Sequence, residues 1–298
     1  MKKTFRVILG TLLLTLIWGM TVSAAPAEGT IIALGADLTP EQKTTVLNLM
    51  GVSEEELDSY QVITITNAEE HQYLDAYLDS SVIGTKALSS VMVTPAESGH
   101  GVMVSTQNIN YCTTGMYRNA LLTAGVEDAD ILVVGPTELS GTAALIGAIK
   151  AYEEVSGEEV SDATMDTALN ELISTGEIVT KSANSEEVEE LIAYIKAKLA
   201  AGELETEDDI RKAIAEGEEK FGVSLEEEEI QQIVDFMMKI KKLGLDPNVL
   251  LDQAADLYDQ FGDELLNKAT EGSFWSGVGD LFSNFGNSIA DFFKNLFA

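Results

Sequence analysis

The periodicity of the chain changes once, and that change constrains its architecture more than any single motif. Between residues 31 and 154, short apolar runs of strand type (62–65, 91–93, 102–105 and 131–134) alternate with helical segments. Between residues 161 and 268 only helical signals remain. Alternation calls for a sheet with helices on its faces, and an uninterrupted run of capped amphipathic segments calls for a bundle. The expected class is therefore α+β or α/β, an N-terminal α/β layer domain followed by a helical bundle.

Helix starts sharpen this layout. Thr39-Pro40-Glu41-Gln42 offers a cap, a proline in the first turn and an early acid, and Asn67-Ala68-Glu69-Glu70 reads as a capping box. Residues 116–124 and 142–154 supply two more helices, each after a strand, and the glycine-flanked loop 96–101 reads as a hairpin connection. In the second half the expected helices are 162–174, 185–201, 206–221, 224–243 and 246–268, with Gly202, Gly222 and Gly244 ending three of them. Glu186 and Glu187 near a helix start, and Lys196, Lys198, Lys239, Lys241 and Lys242 near helix ends, suit the helix dipole. A faint likeness between residues 34–42 and 220–229 reflects shared helix-start chemistry rather than duplication. Linkers near 155–159 and 270–273 divide the chain into an α/β domain (26–157), a helical domain (158–270) and a C-terminal segment (271–298).

Both termini carry address signals. Residues 1–25 combine a basic start (Lys2, Lys3, Arg6), an apolar run over 7–22 and small residues at Ser23, Ala24 and Ala25, the pattern of a cleavable secretory signal peptide. At the other end, Phe274, Trp275, Val278, Leu281, Phe282, Phe285, Ile289, Phe292, Phe293, Leu296 and Phe297 recur at steps of three and four, one face of an amphipathic helix. A stripe this apolar needs cover. The expected partner is a membrane surface or an envelope protein, with self-association a further outcome, and the expected location is secreted or peripheral on the outer face of the cell membrane.

Charge removes one class of function. The chain has 50 acidic against 18 basic residues, a formal charge of −32, and loss of Lys2, Lys3 and Arg6 with the signal takes it to −35. Nucleic acid is excluded as a partner because it demands a cationic footprint. An acidic surface keeps an exported protein soluble. A single cysteine, Cys112, rules out an internal disulfide, so stability must come from ordinary cores.

Candidate chemistry is sparse. With two histidines, His71 and His100, and no His-Glu-x-x-His pattern, the chain has no histidine-rich metal site, and neither a metal nor a cofactor is expected. His71 reads as solvated beside Glu69 and Glu70. A Cys112–His100 nucleophile pair is imaginable, but a small buried thiol is the favoured reading. Glu127-Asp128-Ala129-Asp130 reads as an acidic loop before a strand rather than a calcium site. The best candidates are two strand-to-helix turns: Thr113, Thr114 and Gly115 with Arg118 one turn further on, and Thr137, Ser140, Gly141 and Thr142. At such turns, helix N-terminal amides and small hydroxyl residues converge outside the carboxyl ends of strands, which suits an anionic or carboxylate-bearing ligand. Ordinary N-capping accounts for the same residues.

Residues 34–42, 83–90, 116–120, 140–145 and 221–223, in that order, together resemble the YpuA-like family of exported proteins of Gram-positive bacteria. The resemblance implies export, bacterial origin and this layout, and carries over no catalytic residue. The sequence thus favours an envelope-associated binding or structural protein. The rival reading is an extracytoplasmic hydrolase acting on wall or peptide substrates at the two turns.

Overall fold

The computed structural model describes residues 27–181, 185–200 and 202–244. The expected signal peptide, the helix at 246–268 and the amphipathic C-terminal segment with Phe274, Trp275, Leu281, Phe282, Phe285, Ile289, Phe292, Phe293, Leu296 and Phe297 lie outside the described residues.

The first half runs β1 (Ile31–Gly35), α1 (Pro40–Leu49), β2 (Gln61–Ile65), α2 (Asn67–Leu74), α3 (Ser80–Ile83), β3 (Ser90–Pro95), β4 (Val102–Ile109), α4 (Thr114–Thr123), β5 (Ala129–Leu139) and α5 (Thr142–Ser156). The five strands form one mixed sheet in the order β2-β1-β3-β5-β4. β1 and β2 are parallel across α1, β4 and β5 are parallel across α4, and β3 joins the two pairs by antiparallel ladders to β1 and β5. The expected hairpin at 96–101 is therefore corrected: β5 inserts between β3 and β4. The loop crosses the start of β5, where Ala96 N–H donates to Asp128 O (3.0 Å), Gly101 N–H to Asp128 Oδ1 (2.8 Å) and Ala129 N–H to Gly101 O (3.0 Å). A turn of two to five residues would close a hairpin between neighbouring strands; this loop instead spans a strand width.

β1 escapes sequence periodicity because both of its faces are covered, so it reads as a short continuous apolar run. Ile31 and Ala33 face the core beneath α4 and α5 with Val91, Val93, Ile131 and Val133. Ile32 and Leu34 face a second, smaller core with Val46, Leu47, Met50 and Val52 from α1 and the turn after it. α1 starts as the sequence dictates, with Thr39 and Gln42 closing a reciprocal capping box. At α2 the box shifts by one residue. Thr66 is extended (φ −96°, ψ 152°) and caps the helix with Glu69, while Asn67 is already helical. That shift turns Glu70 inward, where it is buried.

The second half is helical: α6 (Asp162–Lys181), α7 (Ser185–Ala200), α8 (Glu207–Phe221) and α9 (Glu227–Leu243). α8 starts on the capping box of Thr206 and Asp209, and Gly202, Gly222 and Gly244 take positive φ, as their punctuating positions require. α9 begins three residues later than the sequence suggested, after Glu226. α6 belongs to both halves: Met165, Ala168, Leu169, Leu172 and Ile173 complete the core under the sheet, while Ile178 joins Leu191, Ile195, Ile214, Phe236 and Met237 in the bundle core. At α8, a Cβ on Gly217 would stand 2.0 Å from Leu191 Cδ1, so the absence of a side chain lets α7 and α8 touch closely.

A candidate site at the strand-to-helix turns

The end of the β4–β5 ladder sets the two turns side by side. Ile109 pairs with Leu139, Asn110 N–H donates to Leu139 O (3.0 Å), and Cys112 N–H donates to Ser140 O (3.1 Å). Thr113 caps α4, its hydroxyl accepting from Met116 N–H at 3.1 Å. Gly141 precedes α5 with φ 95°, and Tyr117 from α4 donates its hydroxyl to Gly141 O at 2.6 Å. A Cβ on Gly141 would lie 2.3 Å from that hydroxyl, so the position needs glycine for its conformation and for its space.

Each turn already holds a carboxylate of the same chain. At α4 the carboxylate is Glu189 of α7: Thr113 donates its hydroxyl to Glu189 Oε1, and a Cβ on Gly115 would meet Glu189 Oε2 at 1.9 Å. At α5 it is Glu70 of α2, whose Oε1 accepts from Thr142 Oγ1 (3.0 Å) and whose Oε2 accepts from Asn67 Nδ2 (3.2 Å). Ser89 adds a hydroxyl acceptor for Ala144 N–H at 3.0 Å. Helix N-terminal amides attract negative charge, and here internal carboxylates supply it. Burial pushes the Glu189 carboxyl up to about 7, opposed by the Thr113 hydrogen bond and by the nearby Arg118 charge. Burial also raises Glu70, opposed by the bonds from Asn67 and Thr142.

The structure therefore brings Thr113, Gly115 and Arg118 together around Glu189, and Ser140, Gly141 and Thr142 together near Glu70. Ser140 and Thr142 hydroxyls stand 3.4 Å apart. Thr114 is exposed at the first turn of α4. Thr137 stands apart from this group because β5 continues to Leu139, which leaves Thr137 exposed within the strand. Arg118 is 9% exposed, on the buried side of α4.

Behind the α4 turn lies a network that sequence reasoning missed. Lys196 of α7 and Glu171 of α6 are both fully buried. Lys196 Nζ donates to Glu171 Oε1 (3.0 Å), Asn119 O (2.7 Å) and Thr123 Oγ1 (2.8 Å), and Thr123 donates in turn to Glu171 Oε2 (2.5 Å). Burial lowers the Lys196 ammonium and raises the Glu171 carboxyl, and each opposes the shift of the other. Three acceptors around one nitrogen match the three donors of an ammonium, so the pair is held charged. The dipole role expected of Lys196 is thus corrected: its position near the end of α7 faces inward, onto α4 and α6. A second tie joins the halves where Lys239 of α9 donates to Tyr77 Oη (3.0 Å) and reaches Asp166 Oδ2 (3.3 Å), with Tyr77 donating to Asp166.

The remaining candidates separate. Cys112 is buried, and burial pushes its thiol up to about 12. His100 sits before β4 and Cys112 after it, at opposite ends of an eight-residue strand roughly 26 Å long, so they form no nucleophile pair. His100 Nε2 instead meets Asp130 Oδ1 at 3.0 Å. His71 is not simply solvated: its ring bridges Asp75 Oδ1 (2.7 Å) and Gly84 O (3.1 Å), and these two acceptors raise its pKa. Among the described residues no group of three or more His, Cys, Asp and Glu side chains is placed to hold a metal ion. Among them, too, no helix is long and apolar enough to cross a membrane.

The chain is 36% identical over 299 residues to the uncharacterized protein YpuA of Bacillus subtilis (strain 168), covering 99% of this chain and 100% of that protein. No solved structure matches the chain. Residues 34–257 match the family described as protein of unknown function, DUF1002. By both measures, the chain belongs to the DUF1002 family.

Proposed function

We infer that the protein is an exported, cell-envelope-associated binding or structural protein that attaches to the membrane surface or to an envelope partner through residues 271–298. One observation favours this reading over an enzyme. The two turns where an α/β sheet ordinarily receives a ligand are filled by Glu189 and Glu70 of the same chain. These turns serve as joints: Glu189 ties the bundle to α4, and Glu70 ties α2 to α5. Support for export comes from the basic, apolar and small-residue segments over 1–25, and support for attachment comes from the apolar stripe that includes Phe274, Trp275, Phe282, Phe285, Phe292 and Phe293. Only Lys294 opposes Glu271, Asp280 and Asp291 in that tail, so apolar insertion rather than attraction to anionic lipid would drive attachment.

The test is fractionation of cells making the full chain or a form ending at Glu271. The full chain is expected in the membrane or envelope fraction without its first 25 residues, and the truncated form in the soluble extracytoplasmic fraction with unchanged circular dichroism. Retention of the full chain in the cytoplasm, or identical fractionation of both forms, overturns the reading.

A further inference from the structure

β4 ends the strand order, and among the described residues no strand lies beyond it. Exposed edges of natural sheets are ordinarily blunted by lysine, proline, other charge or a bulge. β4 carries no charge and no proline, and its one irregularity, Asn108 with φ 58°, leaves residues 102–107 regular. The ladder to β5 fixes which backbone groups face outward. Ala129 N–H donates to Gly101 O at 3.0 Å, and in a parallel ladder alternate residues turn both backbone groups to the same side. Gly101, Met103, Ser105 and Gln107 therefore bond towards β5, while Val102, Val104 and Thr106 turn N–H and C=O away from it. On the sheet face that carries α1, Met103 is 46% exposed, with Ser105 and Gln107 exposed beside it. Residues 98–126 hold no Asp or Glu, in a chain where 50 of 298 residues are acidic. Arg118, their one Lys or Arg, lies on the buried side of α4. The other edge strand, β2, has five residues and follows Glu54, Glu55, Glu56 and Asp58. A cationic partner finds no acid along β4. A second copy of the chain, itself of formal charge −32, approaches at least cost where acids are missing.

We propose that two copies of the chain pair along β4, antiparallel about a two-fold axis through Val104, so that their five-stranded sheets become continuous. In this register Val104 meets Val104, and Val102 meets Thr106 of the second copy, which matches every backbone group that residues 102, 104 and 106 turn outward. Met103 lies opposite Ser105 of the second copy. The two Met103 residues stand diagonally across the axis at about 7–8 Å, within reach of each other, and cover the apolar surface that each copy exposes alone. The acid beside Met103 is Asp130 on β5, which His100 already meets. The Asp130 residues of the two copies stand three strand spacings apart, roughly 14 Å, beyond the ~8 Å over which exposed charges act at physiological ionic strength.

Sedimentation velocity on the full chain from about 5 μM to about 1 mM tests the pairing, since so narrow an interface makes a reversible dimer with a Kd inside that range. Met103→Glu changes an exposed side chain and is expected to raise the Kd about tenfold or more, because it sets two acids diagonally across the axis. Adding Ser105→Lys places a lysine opposite each glutamate and is expected to bring the Kd back to within about threefold of wild type. A monomer throughout, a dimer indifferent to Met103→Glu, or a double variant no tighter than the single overturns the proposal. If a variant fails to fold, amide exchange read residue by residue in the wild type decides. The amides of Val102, Val104 and Thr106 are expected to exchange fast in the monomer and slow as the dimer forms, while those of Met103, Ser105 and Gln107 are slow throughout. Outward amides that stay fast at every concentration overturn the proposal, and so do outward amides already slow in the monomer, where another segment of the same chain would hold the edge.

Discussion

Lys196→Met tests the buried pair, because it conserves volume while leaving Glu171 without its counter-charge at a fully buried position. Removing one partner of a buried ion pair costs about 3–5 kcal/mol, since the other charge stays desolvated. Glu171 has a cheaper response, which is to take a proton. Holding a carboxyl of ordinary pKa 4.5 neutral at about pH 7 costs about 3.4 kcal/mol, and at about pH 5 only about 0.7 kcal/mol. The variant should therefore melt roughly 7–14 °C below the wild type at about pH 7, and within about 3 °C of it at about pH 5. The sign is fixed: a Glu171 that is neutral in the folded variant and ionised in the unfolded chain makes the deficit grow as pH rises above the unfolded value. Lys196→Met combined with Glu171→Leu removes both charges and should regain most of the loss at about pH 7. Thermal melts of the three proteins at both pH values are the assay. A deficit of equal size at both pH values, or a double variant as unstable as the single one, refutes the reasoning.

Gly115→Ala forces a Cβ against the Glu189 carboxyl and should cost about 1–3 kcal/mol, mostly restored by adding Glu189→Ala, as read from urea unfolding. Gly141→Ala places a Cβ at positive φ beside the Tyr117 hydroxyl and should cost about 2 kcal/mol or more in the same assay. Cys112 should be inert to a thiol reagent in the native protein and react only on unfolding, and Cys112→Ser should cost about 1–2 kcal/mol for burying a hydroxyl.

What the sequence made legible was local. Caps at Thr39 and Thr206 and glycines at Gly202, Gly222 and Gly244 act through neighbours a few residues away, so their chemistry is visible in the string. Strand order is not local: nothing between Val102 and Val134 announces that β5 will lie between β3 and β4, because that placement is decided by which faces α4 and α5 cover. Each strand-to-helix turn was legible from the strand-then-helix pattern, but their meeting at the end of the β4–β5 ladder was not, since it depends on strand order. Nor was their filling by Glu189 and Glu70, since a carboxyl near a helix start ordinarily faces solvent. A usable signal did exist on α7. Glu189, Ala193, Lys196 and Ala197 share a face beside the apolar stripe, and the small side chains of Ala193 and Ala197 on that face leave room for a second helix close by.

The most direct test of self-filled turns is the melting temperature of the full-length protein across a panel of carboxylate- and phosphate-bearing wall fragments. Turns already occupied by Glu189 and Glu70 predict no shift at millimolar fragment. A fragment present at about a hundred times its Kd would add about 2.7 kcal/mol and raise the melting temperature by several degrees. Such a rise in the wild type, lost in Arg118→Ala, would contradict the joint reading and place a ligand site at the α4 turn.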